Sequence, residues 1–199
     1  MQFLKSKLAQ LLIVVMGSLA MAPPTSGRDT ELVMPMGALA HAAAALEQSM
    51  GGRVLEVRLA NAAGAPAFEA AIAQRDAVVY MRIESPSDNV TEIKARELPP
   101  WLLNYHMDAY VRSISKTQVP LDEAIVKAEA RDSAPAIDAG IAKPLSGTNA
   151  VLAYFVETMK GSTRHEFAID ATTGAFIANP EELYEPHTPV DLARRIAPP

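Results

Sequence analysis

Side chains that could do chemistry are few in this sequence and stand far apart. There is no cysteine, which excludes a disulfide framework, a thiolate zinc site, a cysteine nucleophile and a lipoprotein anchor. No serine lies in a nucleophile elbow, and no glycine run resembles a phosphate-binding loop. The four histidines are too widely spaced to form a local metal site; they are His41, His106, His165 and His187. We therefore expect no catalytic residue, no metal, no cofactor and no enzyme activity.

Three residues have both a chemical and a structural interpretation. His165 shares its position in a period-two pattern with Phe167 and Ile169, which predicts a structural histidine at the end of a buried strand face. Met34 and Met36 could offer thioethers to Cu(I), which soft ligands favour. Met36 also fits the apolar face of a predicted helix, so we favour a position in the core.

The N-terminal segment has the features of a secretory signal peptide. Lys5 and Lys7 precede an apolar run over residues 8–20, and small side chains favour cleavage between Ala20 and Ala22. A permanent membrane anchor is the alternative, but a spanning helix needs about 20 apolar residues and this run is shorter. We expect a periplasmic or secreted protein that is free of the membrane after cleavage.

The charge balance argues against a nucleic-acid partner. The chain carries 18 basic and 23 acidic side chains, a formal charge of −5. Loss of Lys5 and Lys7 with the signal peptide leaves 16 basic side chains and a charge of −7. Nucleic-acid-binding proteins normally present a basic face instead. The acidic residues of the C-terminal tail could bind cations or a basic partner, although such runs are usually solvated surface.

Helix and strand patterns occur twice along the chain. One helical pattern begins at Pro35 and another at Pro120, 85 positions later. The apolar face of the first consists of Met36, Leu39, Ala43, Leu46 and Met50. Each helix is followed by segments that alternate apolar and polar residues, which is typical of a sheet with one buried face. Ile83 and Ile169 end corresponding strands 86 positions apart. The pattern predicts an α+β fold with two helix-then-meander units.

Prolines and composition divide the chain into six predicted segments. They are a signal peptide (1–20), a flexible leader (21–34), a first unit (35–97), a helical aromatic linker (98–118), a second unit (119–180) and a loose tail (181–199). Each unit is only about 60 residues long, a size at which a separate core is marginally stable. We expect the two halves to pack against each other or the protein to form a homodimer.

The predicted linker contains the only tryptophan of the chain. Trp101, Tyr105 and Tyr110 occur there together with several other large apolar residues. Such side chains would bury well between two sheets, and a core between the two units is the interpretation that we favour. The alternative is an exposed aromatic patch that binds a partner, in which case these three residues are the candidate interaction surface.

Two stretches of the second unit carry a family resemblance. Residues 120–128 form the predicted helix, and residues 166–174 end in Asp170, a short turn and Gly174. The aspartate side chain can cap this turn, and glycine can adopt a positive φ without steric cost. The second unit resembles a PepSY domain, a small module of some bacterial metallopeptidase propeptides and of many secreted proteins. In the first unit, residues 84–89 replace the turn.

The resemblance implies both a fold and a role. In each of two PepSY-like units, a helix would pack on a small antiparallel sheet, cystatin-like in outline. The role would be that of a non-enzymatic binding or regulatory module, which restrains or associates with a peptidase or another envelope protein. The alternative is a periplasmic protein that handles a small ligand or a metal, with its pocket between helix and sheet or between the units.

Overall fold

A computed structural model of the chain describes residues 34–62, 65–74, 78–84, 93–98, 114, 116–142 and 144–185. The predicted signal peptide, nearly all of the leader, most of the linker and most of the tail lie outside these ranges. Trp101, Tyr105 and Tyr110 also lie outside them. The aromatic interaction surface therefore stays a prediction.

The described residues form two α-helices, seven β-strands and one 3-10 helix. The helices are α1 (Ala38–Met50) and α2 (Leu121–Asp132), and the 3-10 helix is Pro180–Glu182. The strands are β1 (Arg53–Ala62), β2 (Ala65–Ala73), β3 (Val78–Glu84), β4 (Ile93–Leu98), β5 (Ala136–Ile141), β6 (Ala153–Lys160) and β7 (Thr163–Asp170). This composition confirms the predicted α+β class.

All seven strands join in one antiparallel sheet. Their order is β4-β3-β2-β1-β5-β6-β7, so the first strand after each helix lies at the centre, with Val57 of β1 opposite Ala139 of β5. The meander β1–β4 extends to one side of this pair and the meander β5–β7 to the other. The sequence predicted a small sheet for each unit; the structure instead continues one sheet through both halves.

The main core lies between this sheet and the two helices, which pack side by side on one face. Leu39 and Leu46 of α1 and Ile125 of α2 are fully buried. They belong to the same apolar cluster as Ile72 of β2 and Ile169 of β7. Residues from both halves belong to this cluster. The two small halves therefore share one core, and neither half has to be stabilised by a separate core.

Helix α1 begins later than the sequence predicted. Gly37 has a φ of 81°, so Met36 lies in the turn before the helix and is 54% exposed. The prediction that Met36 lies on the buried face of the helix was wrong, and Met34 is buried instead. The helix ends at Gly51, which has a φ of 64° and whose N–H donates to the Glu47 carbonyl.

A second, smaller core covers the helix-free face of the sheet over β5–β7. Phe155 of β6 and Ala168 of β7 contact Tyr184, which follows the 3-10 helix. The rings of Phe155 and Tyr184 meet edge to face, with 5.7 Å between their centroids. The Tyr184 hydroxyl donates to the Val151 carbonyl at 2.8 Å. The tail, predicted to be loose from residue 181, therefore packs firmly as far as Tyr184.

The two helix-to-strand junctions share the same contact at positions 82 residues apart (Glu47 and Glu129). Glu47 Oε1 accepts the Val54 N–H at 2.9 Å, and Glu129 Oε1 accepts the Ala136 N–H at 2.9 Å. In both β1 and β5 the pairing register shifts directly after this contact. One local device thus connects helix to strand in both halves.

Candidate functional site

Strand β7 lies at one edge of the sheet, and the chain that follows it covers its C-terminal end. The Asp170 N–H donates to the Ala175 carbonyl at 2.9 Å, and the Ile177 N–H donates to the Ala168 carbonyl at 2.9 Å. The Ala168 carbonyl and the Asp170 N–H, which point away from β6, are therefore paired within the chain. This end of the edge is closed to another strand.

The N-terminal part of β7 has no further strand beside it in the sheet that the structure describes. Backbone groups alternate in direction along a strand, so the N–H and C=O of Arg164, like those of Ala168, point away from β6. We call residues 163–167 the β7 edge. An edge of this kind can receive an extended chain through backbone hydrogen bonds.

Opposite charges lie two residues apart on the β7 edge. The side chains of Arg164 and Glu166 share the helix-free face of the sheet, and both are exposed, Arg164 by 66%. Arg164 Nη1 lies 3.0 Å from Glu157 Oε1 on β6. The intervening His165 is on the helix face and half-buried. The β7 edge therefore carries one basic and one acidic side chain on the helix-free face.

An aromatic pair lies beside the β7 edge on the helix side. The rings of Phe167 and Phe176 meet edge to face, with 5.9 Å between centroids. The guanidinium carbon of Arg131, near the end of α2, is 4.2 Å from the Phe176 centroid and 5.8 Å from that of Phe167. A cation over a ring face is attracted by the ring quadrupole, so Arg131 helps to fix both rings. They form a half-buried apolar surface next to the backbone of the β7 edge.

His165 connects the β7 edge to helix α2. Its Nδ1 lies 2.9 Å from Asp132 Oδ1, and the Thr158 hydroxyl donates to Asp132 Oδ2 at 2.6 Å. Lys160 Nζ donates to the Asp132 carbonyl at 3.0 Å. The Thr158 hydrogen bond, followed by that of His165, lowers the pKa of Asp132 although burial opposes the shift. His165 thus has the structural role that the sequence predicted.

A second polar cluster lies on the helix-free face near the centre of the sheet. Arg58 Nε and Nη2 donate to Glu69 Oε2 at 2.9 and 2.6 Å. Burial lowers the pKa of Arg58, but Glu69, Glu56 and Asp138 together raise it above its ordinary value. Glu56 and Asp138 are each 5% exposed. The Tyr80 hydroxyl is buried with no partner in the described part of the chain, and burial and the Glu56 charge raise its pKa. We interpret this cluster as a structural ion-pair network, because its carboxylates face a shared guanidinium.

The turn after β7 has the local geometry expected from the sequence. Asp170 Oδ1 accepts the N–H groups of Thr172 and Thr173 at 2.7 and 3.0 Å, and Gly174 has a φ of 70°. A Cβ on residue 174 would collide with Lys127 Nζ. This turn directs the chain back along β7, so it positions the segment that closes the C-terminal end of the edge.

Among the residues described, no three His, Cys, Asp or Glu side chains are grouped so that they could hold a metal ion. These residues also include no helix that is both long and apolar enough to span a membrane. His41 lies on the exposed side of α1, while His106 and His187 are outside the described residues.

Arg164 and Glu166 were not identified from the sequence as site residues. The available signal was a strand with opposite charges two positions apart, followed by a turn that reverses the chain. That signal shows which residues share a face, but not that β7 is the last strand of the sheet. Edge position depends on the order of strands, which the sequence pattern did not specify.

Comparisons with known proteins assign no family to the chain. No model of a known protein family matches it, and no curated protein matches its sequence. Among solved structures, it is similar to the crystal structure of a Clostridium difficile 630 protein with a provisional assignment as a lipoprotein. The TM-score is 0.39 and the identity 13%, over 67% of this chain and 84% of that one.

Proposed function

We propose that the protein is a non-enzymatic binding module that takes up an extended segment of another protein along the β7 edge. The observation that carries this proposal is that β7 is the last strand of the sheet that the structure describes, with the N–H and C=O of Arg164 turned away from β6, beside a strand end that the chain itself closes. An added strand would form backbone hydrogen bonds there, and neighbouring side chains would provide specificity.

The β7 edge is held in place before any partner arrives. Its inner side pairs with β6, and the His165–Asp132 contact ties it to α2. The pair Phe167–Phe176 and the overlying Arg131 fix the apolar surface next to it. A preformed edge loses little conformational freedom on binding, and this favours association. Charged side chains on an edge also limit unspecific aggregation, so a specific partner strand would have little competition.

The proposal includes the PepSY-like assignment and an exported location. The order of helix and meander in each half supports it, as does the shared junction contact of Glu47 and Glu129. The turn from Asp170 to Gly174 adds support in the second half. With residues 1–20 as a signal peptide, the partner would be a peptidase or another protein of the cell envelope.

The test is a proline that blocks the edge without disturbing the sheet. Arg164→Pro removes an N–H that an added strand needs but that β6 does not use, and proline is tolerated where a strand N–H faces solvent. Arg164→Ala is the matched control, because it removes the same charge and keeps the N–H. Both variants should melt within a few degrees of the wild type.

Binding is measured by affinity capture from an envelope fraction with the three proteins side by side. A partner that the wild type and Arg164→Ala retain, and that Arg164→Pro loses, supports the proposal. Equal capture of the same partner by all three proteins would show that the partner binds at a surface other than the β7 edge. Recovery of no specific protein by the wild type would contradict a binding role.

A further inference from the structure

We infer that residues 99–113 dock on the helix-bearing face of the sheet over β3, in the same layer as α1 and α2. The docking site is the apolar surface formed by Val79 and Met81, and its occupant is this segment of the same chain. In the sheet, β3 and β7 lie on opposite sides of the central β1–β5 pair. The inference therefore does not depend on the function proposed for the β7 edge.

The docking site is buried, although the described helices do not extend over it. Val79 is 0% exposed and Met81 is 3% exposed, and both belong to the main core on the helix face. Helix α1 packs on β1, β5 and β2, and α2 packs on β6, β5 and β7. Among the described residues, neither helix packs extensively on β3. Large apolar side chains at the far side of the sheet are shielded from water only if another part of the chain covers them.

The segment 99–113 begins directly beside this site. Leu98, the last residue of β4, lies opposite Val78 at the start of β3. The residue that follows the segment, Ile114, is helical, 1% exposed and part of the same apolar cluster as Val79 and Met81. In helical geometry these residues would extend about 22 Å, whereas four neighbouring strands are about 14 Å wide. The segment thus starts beside the site, ends in the same core and is long enough to cross the site.

The burial of Ile114 indicates which side of the segment faces the sheet. The sequence predicts a helix in this linker, and residues 4, 7 and 11 positions before Ile114 would share its face. These residues are Tyr110, Met107 and Leu103, and all three are apolar or aromatic. The residues on the opposite side are Trp101, Tyr105, Asp108 and Arg112. The side that continues from Ile114 is therefore the one suited to an apolar docking site.

This arrangement divides the candidate aromatic surface between two environments. Tyr110 would pack against Val79 and Met81 as part of the core between the helices and the sheet. Trp101 and Tyr105 would lie on the outer side of the segment, away from the sheet. One linker thus combines the two roles that were alternatives for these aromatic residues, a core and an accessible surface.

A cysteine scan of the full chain tests the docking, because the protein has no cysteine of its own. Met81→Cys is combined in turn with a single cysteine at each position from 101 to 112, and each double variant is refolded under mildly oxidising conditions. A disulfide forms only where the two Cβ atoms come within about 3.5–4.5 Å of each other. Its yield should be highest with Met107→Cys or Tyr110→Cys and at least about tenfold lower with Tyr105→Cys.

The helical period along the segment is the internal control of this scan. Yields should rise and fall every three to four positions, with maxima on the side of Ile114. Equal yields on both sides, or maxima at Trp101→Cys and Tyr105→Cys, would overturn the orientation that we infer. The absence of a disulfide at every position would overturn the docking itself.

The single variants Tyr110→Cys and Tyr105→Cys provide a second measurement that leaves the sheet unchanged. They are matched, because they replace the same residue type on opposite sides of the segment. A buried thiol reacts only after local opening, so a maleimide should label Tyr105→Cys at least about tenfold faster than Tyr110→Cys. Equally fast labelling of both variants would overturn the docking. Protection of Tyr110→Cys without any disulfide to Met81→Cys would show that the segment packs on a surface other than β3.

Discussion

The two helix-to-strand junctions use the same carboxylate contact in different surroundings. In the second half, Glu129 is 3% exposed, and its Oε2 accepts the Gly37 N–H at 2.8 Å just before α1. In the first half, the Glu47 side chain is 17% exposed, and its Oε2 lies 3.3 Å from Arg53 Nη1. Arg53 Nη2 in turn donates to the Thr117 hydroxyl at 2.8 Å, just before α2. Each carboxylate thus connects its own strand with the other half, Glu129 directly and Glu47 through an arginine.

The same carboxylate contact can therefore contribute unequally to the free energy of unfolding at the two junctions. Glu129 is the acceptor for two backbone N–H groups in a site that water hardly reaches, so both donors would stay unpaired without it. Glu47 serves a single N–H, and the neighbouring Arg53 could turn to solvent. Burial, more than the hydrogen-bond pattern, should decide which junction holds the two halves together.

The largest expected effect is that of Glu129→Ala. It leaves the N–H groups of Gly37 and Ala136 without their acceptor in a buried site, which should lower the free energy of unfolding by about 2–5 kcal/mol. Urea denaturation followed by circular dichroism measures this change. Glu129→Gln is the control, since it keeps one carbonyl oxygen for one of the two donors and should lose clearly less. A loss below that of the control would contradict the role given to Glu129.

Glu47→Ala should have a smaller effect, about 1–2 kcal/mol, because only the Val54 N–H loses its acceptor. The same denaturation experiment allows the losses in the free energy of unfolding at the two junctions to be compared directly. Arg53→Met tests the indirect connection, since it removes the contact with Thr117 while Glu47 keeps its hydrogen bond to the strand. If Glu47→Ala destabilised the protein more than Glu129→Ala, burial would not be the deciding factor.

The features that could be predicted from the sequence depend on neighbouring residues. The cap at Gly51 and the turn from Asp170 to Gly174 need only a glycine with positive φ and a nearby acceptor. Period-two alternation likewise located strands and therefore the α+β class. Even local reasoning was wrong at Met36, because the positive φ of Gly37 separates it from the helix whose apolar pattern it matches.

The arrangement of the strands and the candidate site could not be obtained in the same way. Pairing of Val57 with Ala139 joins residues far apart in the chain, and alternation says nothing about which strands become neighbours. The edge position of Arg164 and Glu166 follows from that order, since the same residues in a central strand would have a neighbouring strand on both sides. Locating the candidate site therefore required knowledge of which distant strands pair with each other.

The smallest expected effect concerns the pH dependence of the first junction. Burial raises the pKa of Glu47 above 4.5, although the Val54 N–H and Arg53 oppose the shift. The folded protein then binds more protons than the unfolded chain at this group, so its contribution to stability is present below pH 4.5 and falls as the pH rises through the folded pKa. Glu47→Gln should remove this decline from the pH profile of urea midpoints.

The pKa of Asp132 is shifted in the opposite direction, so Asp132 affects the pH profile of stability with the opposite sign. Its pKa lies below 3.8 in the folded protein, chiefly through the Thr158 hydrogen bond, so its contribution is present above pH 3.8 and is lost as the pH falls through the folded value. Asp132→Asn should therefore flatten the acid end of the profile, whereas Glu47→Gln should change the profile above pH 4.5. If Glu47→Gln left that region unchanged, the charge on Glu47 would be fully compensated by Arg53. The two junctions would then differ in hydrogen bonding alone, because burial would impose no net cost on the charge of Glu47.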